Sequence, residues 1–457
     1  MASRRRLALI VALVLALAAC TESAPPPQPT APPDAFAPTP TIGAPTTTLP
    51  PGSTTTLDIE RVVIQRVDPV SLDPLSAFEP IPMGDWLWEP KTSPDGRFLA
   101  AAVGDDVAEN QLRLVDLQSW LPAMSWATFP DLIVHVDDAG TVYFISYYER
   151  PQLHFSVLDG TGSTLIADLP EGMSVWGADM IGAQIVLFGT RIPSAEGGEL
   201  AMVATVDVTS RKVTEIALPE VHVGPVEPVS QGPWASYLYN SPSFTLDRAG
   251  NRVLVAHANE SSVTEVDLAT GQAMQHDLAD ATATPDTGTR RWGAVSPDGR
   301  FLYVASRDVE LIEDDDNWSV KTIPAGVATL DTSSWQVVAT TDAEISDIYI
   351  SPAGDRLVGS GYTTEESGSV SVSDSTGLFM LDPTDLTVLN HIPSERSDQG
   401  WGAVTFSSAG AIAYAWTWLD TPRVHAMELS SGKMLSTAEG VETLAMVGPV
   451  GVLASNR

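Results

Sequence analysis

One cysteine stands among the 457 residues, at position 20, so no internal disulfide can form. Positive charge is also scarce. The chain has 24 Lys and Arg against 58 Asp and Glu, a net charge of −34. Such a surface repels polyanions, which argues against nucleic acid as a partner and against a chain lying on anionic lipid. The seven histidines are scattered, with no His-x-x-x-His and no local Cys/His pair, so a zinc site has no support. No Gly-x-Ser-x-Gly elbow is present, and no Cys-x-x-Cys-His for covalent haem. No metal and no cofactor are therefore expected. No long helical periodicity appears after residue 57.

What is present begins with a positive hexapeptide, Met-Ala-Ser-Arg-Arg-Arg, and an all-apolar run at 7–18. That run is short for a membrane span and has no stop-transfer flank, so 1–19 reads as a signal peptide. Its end, Leu17-Ala18-Ala19-Cys20, resembles a bacterial lipobox. The resemblance implies cleavage before Cys20 and acylation of its thiol with palmitate-type chains. The mature chain would then be extracytoplasmic and anchored to the bacterial cell membrane. Each buried CH₂ contributes about 0.8 kcal/mol, so several chains on one cysteine hold stably. Residues 20–57 read as a tether: 11 Pro and 10 Thr fall within 21–56. Such a segment buries no core and extends as polyproline II, reaching roughly 110 Å at full length. Losing 1–19 removes three arginines and no acid, which takes the net charge to −37.

Residues 58–457 consist of short apolar runs separated by turn residues, the signature of strands. Two turn types alternate. The first is Ser93-Pro94-Asp95-Gly96, recurring at Asp137–Gly140, Asp247–Gly250, Ser296–Gly299, Ser351–Gly354 and Ser407–Gly410. Pro or a tolerant residue opens it, and Gly closes it where φ must be positive. The second is an acid after an apolar pair, at Asp68, Asp116, Asp159, Asp207, Asp267, Asp331, Asp382 and Glu428. There the carboxylate accepts amide hydrogens of the turn. The repeat of four short strands resembles the YVTN-type and WD40-like propellers, chiefly through Ser-Pro-Asp-Gly-Arg-Phe-Leu at 93–99 and 296–302. The resemblance implies an all-β chain folded as a single β-propeller of four-stranded blades. Eight blades are expected; seven follows if 170–220 is misread, since its early turn at 180–183 is the poorest. The competing architecture is a pair of β-sandwiches. A late-type turn comes first and an early-type turn last, so 58–80 and 441–457 should share one blade and close the ring.

Trp88, Trp176, Trp292 and Trp401 each precede an early-turn Gly by six to nine residues, and the last three begin Trp-Gly-Ala. By blade count they fall on alternate blades near the axis, where indoles would stack on a protein, peptide or glycan ligand. The same rings would serve equally as filler between blades. The acidic stretch Glu313–Asn317 lacks the spacing of a calcium loop. It and the segments 220–240 and 361–377 read as inserted loops. The expected function is a monomeric binding or scaffold lipoprotein of the cell envelope. The alternative is a propeller enzyme, lactonase-like or quinone-linked, with its residues dispersed around the funnel.

Overall fold

In a computed structural model, residues 62–456 are described, apart from single residues and short stretches of which 226–238 and 279–287 are the longest. The described residues form strands and turns with no helix. Trp86–Thr92, Phe98–Gly104, Gln111–Asp116 and Leu121–Trp126 make one antiparallel four-stranded sheet in chain order. The same unit recurs from Leu132 to Asp168, from Thr245 to Asp277 and from Gly400 to Glu439. A five-stranded sheet runs from Met173 to Asn240, and an eight-stranded one from Gly288 to Ile392. First strands of successive sheets touch: Trp86–Thr92 meets Leu132–Val136 on one side and Val441–Val447 on the other. The fold is a β-propeller with four-stranded blades.

The core explains why so many strands are apolar without alternation. Every residue of Phe98–Gly104 is buried. Leu99, Ala101 and Val103 pack with Val62, Ile64 and Met83 of one neighbouring sheet. Phe98 and Ala100 pack with Ile133, Val142 and Phe144 of the other. Covering both faces of a sheet demands apolar residues at both parities, whereas the outermost strands alternate or expose themselves, as Gln336–Thr341 does.

The ring closes through the chain's two ends. Val62–Val67 pairs antiparallel with Val450–Asn456 through six residue pairs, from Val62↔Asn456 to Val67↔Gly451. The sheet order places Val441–Val447 and Val450–Asn456 inside and the N-terminal strands outside. The outer strand is Ile81–Gly84, a little beyond the 58–80 boundary expected from sequence. This sheet packs on both neighbours, since Val67 and Leu72 join Tyr414, Val424 and Ala426. The Tyr414 hydroxyl also donates to the Pro69 carbonyl at 2.9 Å.

Both turn types have the chemistry expected of them, except that at Asp247–Gly250 the left-handed residue is Asn251, at φ 51°, and not Gly250. Ser93 Oγ donates to Asp95 at 2.6 Å and accepts from the Phe98 amide at 2.9 Å, while Gly96 sits at φ 70°. The set repeats at Ser296, Asp298 and Phe301, with Gly299 at φ 72°. A Cβ on Gly299 would also come within 2.7 Å of Asp247 in the preceding sheet. In five of the late turns, those of Asp68, Asp116, Asp207, Asp267 and Asp331, one carboxylate oxygen accepts two amides, as Asp207 does from Thr209 and Ser210. Those amides, Ser210's foremost, hold the Asp207 carboxyl below its ordinary range, and the Ser71 and Thr270 amides do the same for Asp68 and Asp267. The residue four places after the acid turns left-handed, and it is usually not glycine: Leu72, Trp120, Arg211, Trp335 and Leu386 all have φ between 55° and 62°. For Trp120 the strain is offset by packing. It is 7% exposed, and its indole donates to the Glu79 carbonyl of the closing sheet at 2.6 Å.

Ile64 is 1% exposed within the closing strand. Ile64→Ala should cost about 2–5 kcal/mol in urea unfolding. Val388→Ala, on a residue 40% exposed in an outer strand, should stay within about 0.5 kcal/mol.

Candidate functional site

An antiparallel sheet read in chain order sends its first and third turns out of one end. The second turn and the crossing to the next sheet leave from the other. The two ends of this propeller differ. First and third turns span two to six residues, except in the closing sheet, where thirteen residues separate Val67 from Ile81. At the opposite end several described strands lie farther apart in sequence: seven residues separate Arg191 from Glu199, thirteen Pro225 from Tyr239, ten Asp277 from Gly288 and seven Ile392 from Gly400. That end also carries two long hairpins.

The hairpins revise the sequence reading. Glu313–Asn317 is not an insertion between strands but the tip of a ladder in which Phe301–Asp314 pairs with Asn317–Asp331. The segment 361–377 is likewise strand, with Leu357–Ser367 pairing to Val370–Leu381. The two hairpins then pair with each other, from Ser319↔Ser367 to Thr322↔Thr364. The result is a four-stranded platform extending roughly 25 Å past Arg307 at the usual rise per residue. Residues 308–321 and 362–375 hold nine acids and one lysine, Lys321.

At the platform's base lies a charged network. Arg307 donates to both oxygens of Asp347 at 2.8 and 2.6 Å, donates to the Tyr362 hydroxyl, and lies 4.1 Å from the Tyr362 ring centroid. Arg307 is on the second strand of one four-strand unit, and Asp347 is on the first strand of the next. The pair therefore ties the two units together. Burial opposes the Arg307 charge, but Asp347 more than offsets this and raises the guanidinium further above its ordinary value. Nearby, Arg291 donates to the His257 carbonyl at 3.1 Å and to Ser306. His257 is 1% exposed and bonds Thr264 through Nε2 at 2.7 Å, while its Nδ1 makes no hydrogen bond. Burial, with His222 adding to it, pushes His257 down to about 4. Asp308, whose Oδ1 is buried without a partner, is pushed up by burial. Among the described residues no three His, Cys, Asp or Glu gather as metal ligands would.

The tryptophans expected at the funnel mouth divide. Trp401 is 3% exposed, packs with Val358, Leu378 and Met380 of the preceding sheet, and donates its indole to Ser394 at 3.1 Å. That is the filler role. Trp176 and Trp292 are half-buried, each against a cluster shared by two blades, with Trp292 6.0 Å from the Tyr349 ring. Trp88 lies on Trp86–Thr92, but its side chain, like Cys20 and the whole of 1–57, is outside the described residues. Sequence reading missed the Arg307–Asp347 tie and His257, because single polar residues in otherwise apolar strands carry no motif.

No family model matches the chain, and no curated protein matches it in sequence. Among solved structures it is similar to Sqt1 of Saccharomyces cerevisiae, with a TM-score of 0.52 at 10% identity over 82% of this chain and 95% of that one. The likeness is one of fold alone. BamB of Moraxella catarrhalis aligns at a TM-score of 0.48 and 13% identity, covering 80% and 95% of the two chains. The dihydro-haem d1 dehydrogenase NirN in complex with DHE aligns at 0.48 and 14%, covering 86% and 76%.

Two outcomes follow for the network. Asp347→Ala strands a buried guanidinium and should cost about 3–5 kcal/mol by urea unfolding, whereas replacing Arg307 and Asp347 together by Met and Leu should cost far less. His257 is neutral when folded, and its folded value of about 4 lies below the unfolded 6.5. The unfolded chain therefore binds the proton first. The stability due to His257 is complete above pH 6.5 and is lost as pH falls toward 4, by an amount on the order of 3 kcal/mol. His257→Gln should flatten unfolding free energy against pH across that window.

Proposed function

We propose that this chain is an extracytoplasmic lipoprotein, anchored through Cys20 and held out on its Pro/Thr-rich segment, whose propeller captures a macromolecular partner on its long-connection face. The observation that carries this reading is the segregation of connections. Apart from the thirteen residues between Val67 and Ile81 of the closing sheet, one face joins its strands by tight turns of repeated chemistry, and the connections longer than six residues join strand ends at the other, which also bears the paired hairpins. Length not needed to link strands is length free for recognition. The acidic platform favours a protein or peptide partner with a cationic surface, since charge complementarity speeds encounter and excludes like-charged competitors. The half-buried indoles of Trp176 and Trp292 offer flat apolar contact nearer the axis.

An eight-bladed ring fits the same reading. The eight-stranded sheet divides into Gly288–Thr341 and Asp347–Ile392, each a four-strand unit, with strand pairing between them only where the hairpins meet. The five-stranded sheet is a four-strand unit plus the two-residue strand Tyr239–Asn240.

Photocrosslinking residues placed at Thr363 on a hairpin and at Ser333 in a late turn test the binding face in living cells. Adducts from 363 alone support the proposal. Equal adducts from both positions, or none from 363, contradict it. The anchor is tested separately: Cys20→Ala should abolish palmitate labelling and release the protein from the membrane fraction, and retained labelling would refute lipidation at Cys20.

A further inference from the structure

On the tight-turn side, three successive first strands carry a polar residue two or three positions before the turn begins. They are Lys91 on Trp86–Thr92, His135 on Leu132–Val136 and Asp179 on Met173–Ile181. The fourth sheet supplies Arg248 immediately after Thr245–Asp247. First strands line the axis, so these four groups converge near its turn-side mouth. Their charges act on one another across sheets: Lys91 and Arg248 both bear on Asp179 and on His135.

The charges in this cluster do not balance. Arg248 donates to both oxygens of Asp179 at 2.8 Å and to the Met180 carbonyl at 2.5 Å, which occupies the one carboxylate. Its Nε is buried and makes no hydrogen bond. Lys91 is 8% exposed overall, has no hydrogen bond or ion pair with any described residue, and its ammonium is not sealed from solvent. His135 is held neutral-prone by burial, which lowers its value, with the two cations opposing protonation further and Asp179 favouring it. Asp137, the next acid, is engaged with its own turn amides, those of Ala139 and Thr141. Two cations thus share one carboxylate at a largely buried place, in a chain with an overall excess of 34 negative charges. Two cations facing one carboxylate leave a local positive excess, which a bound anion would balance.

We propose that Lys91, His135 and Arg248 form an oxyanion site at the turn-side mouth of the propeller axis, with Asp179 fixing the Arg248 guanidinium. The ligand is a small anion bearing two or more oxygens, a phosphate-type or carboxylate group. The free Arg248 Nε–H and the Lys91 ammonium donate to separate oxygens, and neutral His135 supplies a third donor. The Arg248 side chain is 21% exposed, which gives the anion a way in from the turn face. This site is independent of the partner-binding face, which lies at the opposite end of the axis.

The test is titration calorimetry of the detergent-solubilised full chain with inorganic phosphate and, separately, with acetate, each against chloride at matched ionic strength. Saturable binding of either supports the site, and the anion that binds identifies the group it takes. Lys91→Met, which keeps the length of the side chain and removes its charge, should weaken that binding by about tenfold. It should leave the melting temperature equal or higher, because a positive charge repelled by Arg248 is gone. Absence of saturable binding by both anions in the wild-type chain overturns the proposal whether or not Lys91→Met folds. Undiminished binding by a folded Lys91→Met variant overturns it too, as does a lowered melting temperature.

Discussion

Face-to-face packing of successive sheets, completed by pairing the chain's two ends, is the constraint on which the rest depends. Each sheet buries both faces, so no sheet is stable with one neighbour missing. Phe98–Gly104 illustrates the point: its alternate side chains belong to two separate clusters, one on each side. Without Val62–Val67 laid against Val450–Asn456, the clusters holding Ile64 and Tyr414 would both lose a wall, and two strand edges would lie open to aggregation. A local interaction between distant sequence positions thus sets the stability of the whole ring.

With that frame fixed, polar chemistry is distributed by position. On the tight-turn side, carboxylates and Ser hydroxyls satisfy backbone amides and repeat from blade to blade. Between blades, buried ions occur as ties, as in Arg307 with Asp347 and Arg248 with Asp179. Such pairs add little net stability over an apolar replacement, but they make wrong juxtapositions of neighbouring blades expensive. On the far side, the connections lengthen and the charge becomes strongly acidic.

Much of the frame was legible in the sequence, because the turns need particular atoms at fixed places. Gly96 and Gly299 supply positive φ, and Asp207 and Asp267 accept amides at the positions where spacing put them. The closing sheet was legible from turn order alone. The left-handed residue four places after each late-turn acid was not, since Leu72 and Arg211 carry no hint of it. The hairpin platform was misread as loops because its sequence is rich in Ser, Asp, Glu and Gly, the residue types of turns. The tryptophans showed the limit of counting. Spacing put Trp401 near the axis, but only packing fixed its ring among Val358, Leu378 and Met380. The lone cations Lys91 and Arg248 acquire meaning only when three or four strands bring them together.

Hydrogen exchange along the chain tests the closure most directly. If the ends are joined as described, amides of Val62–Val67 exchange only through global unfolding, at the rate of those in Phe98–Gly104. Exchange of Val62–Val67 at the rate of an unpaired terminus, with Phe98–Gly104 still protected, would contradict the account.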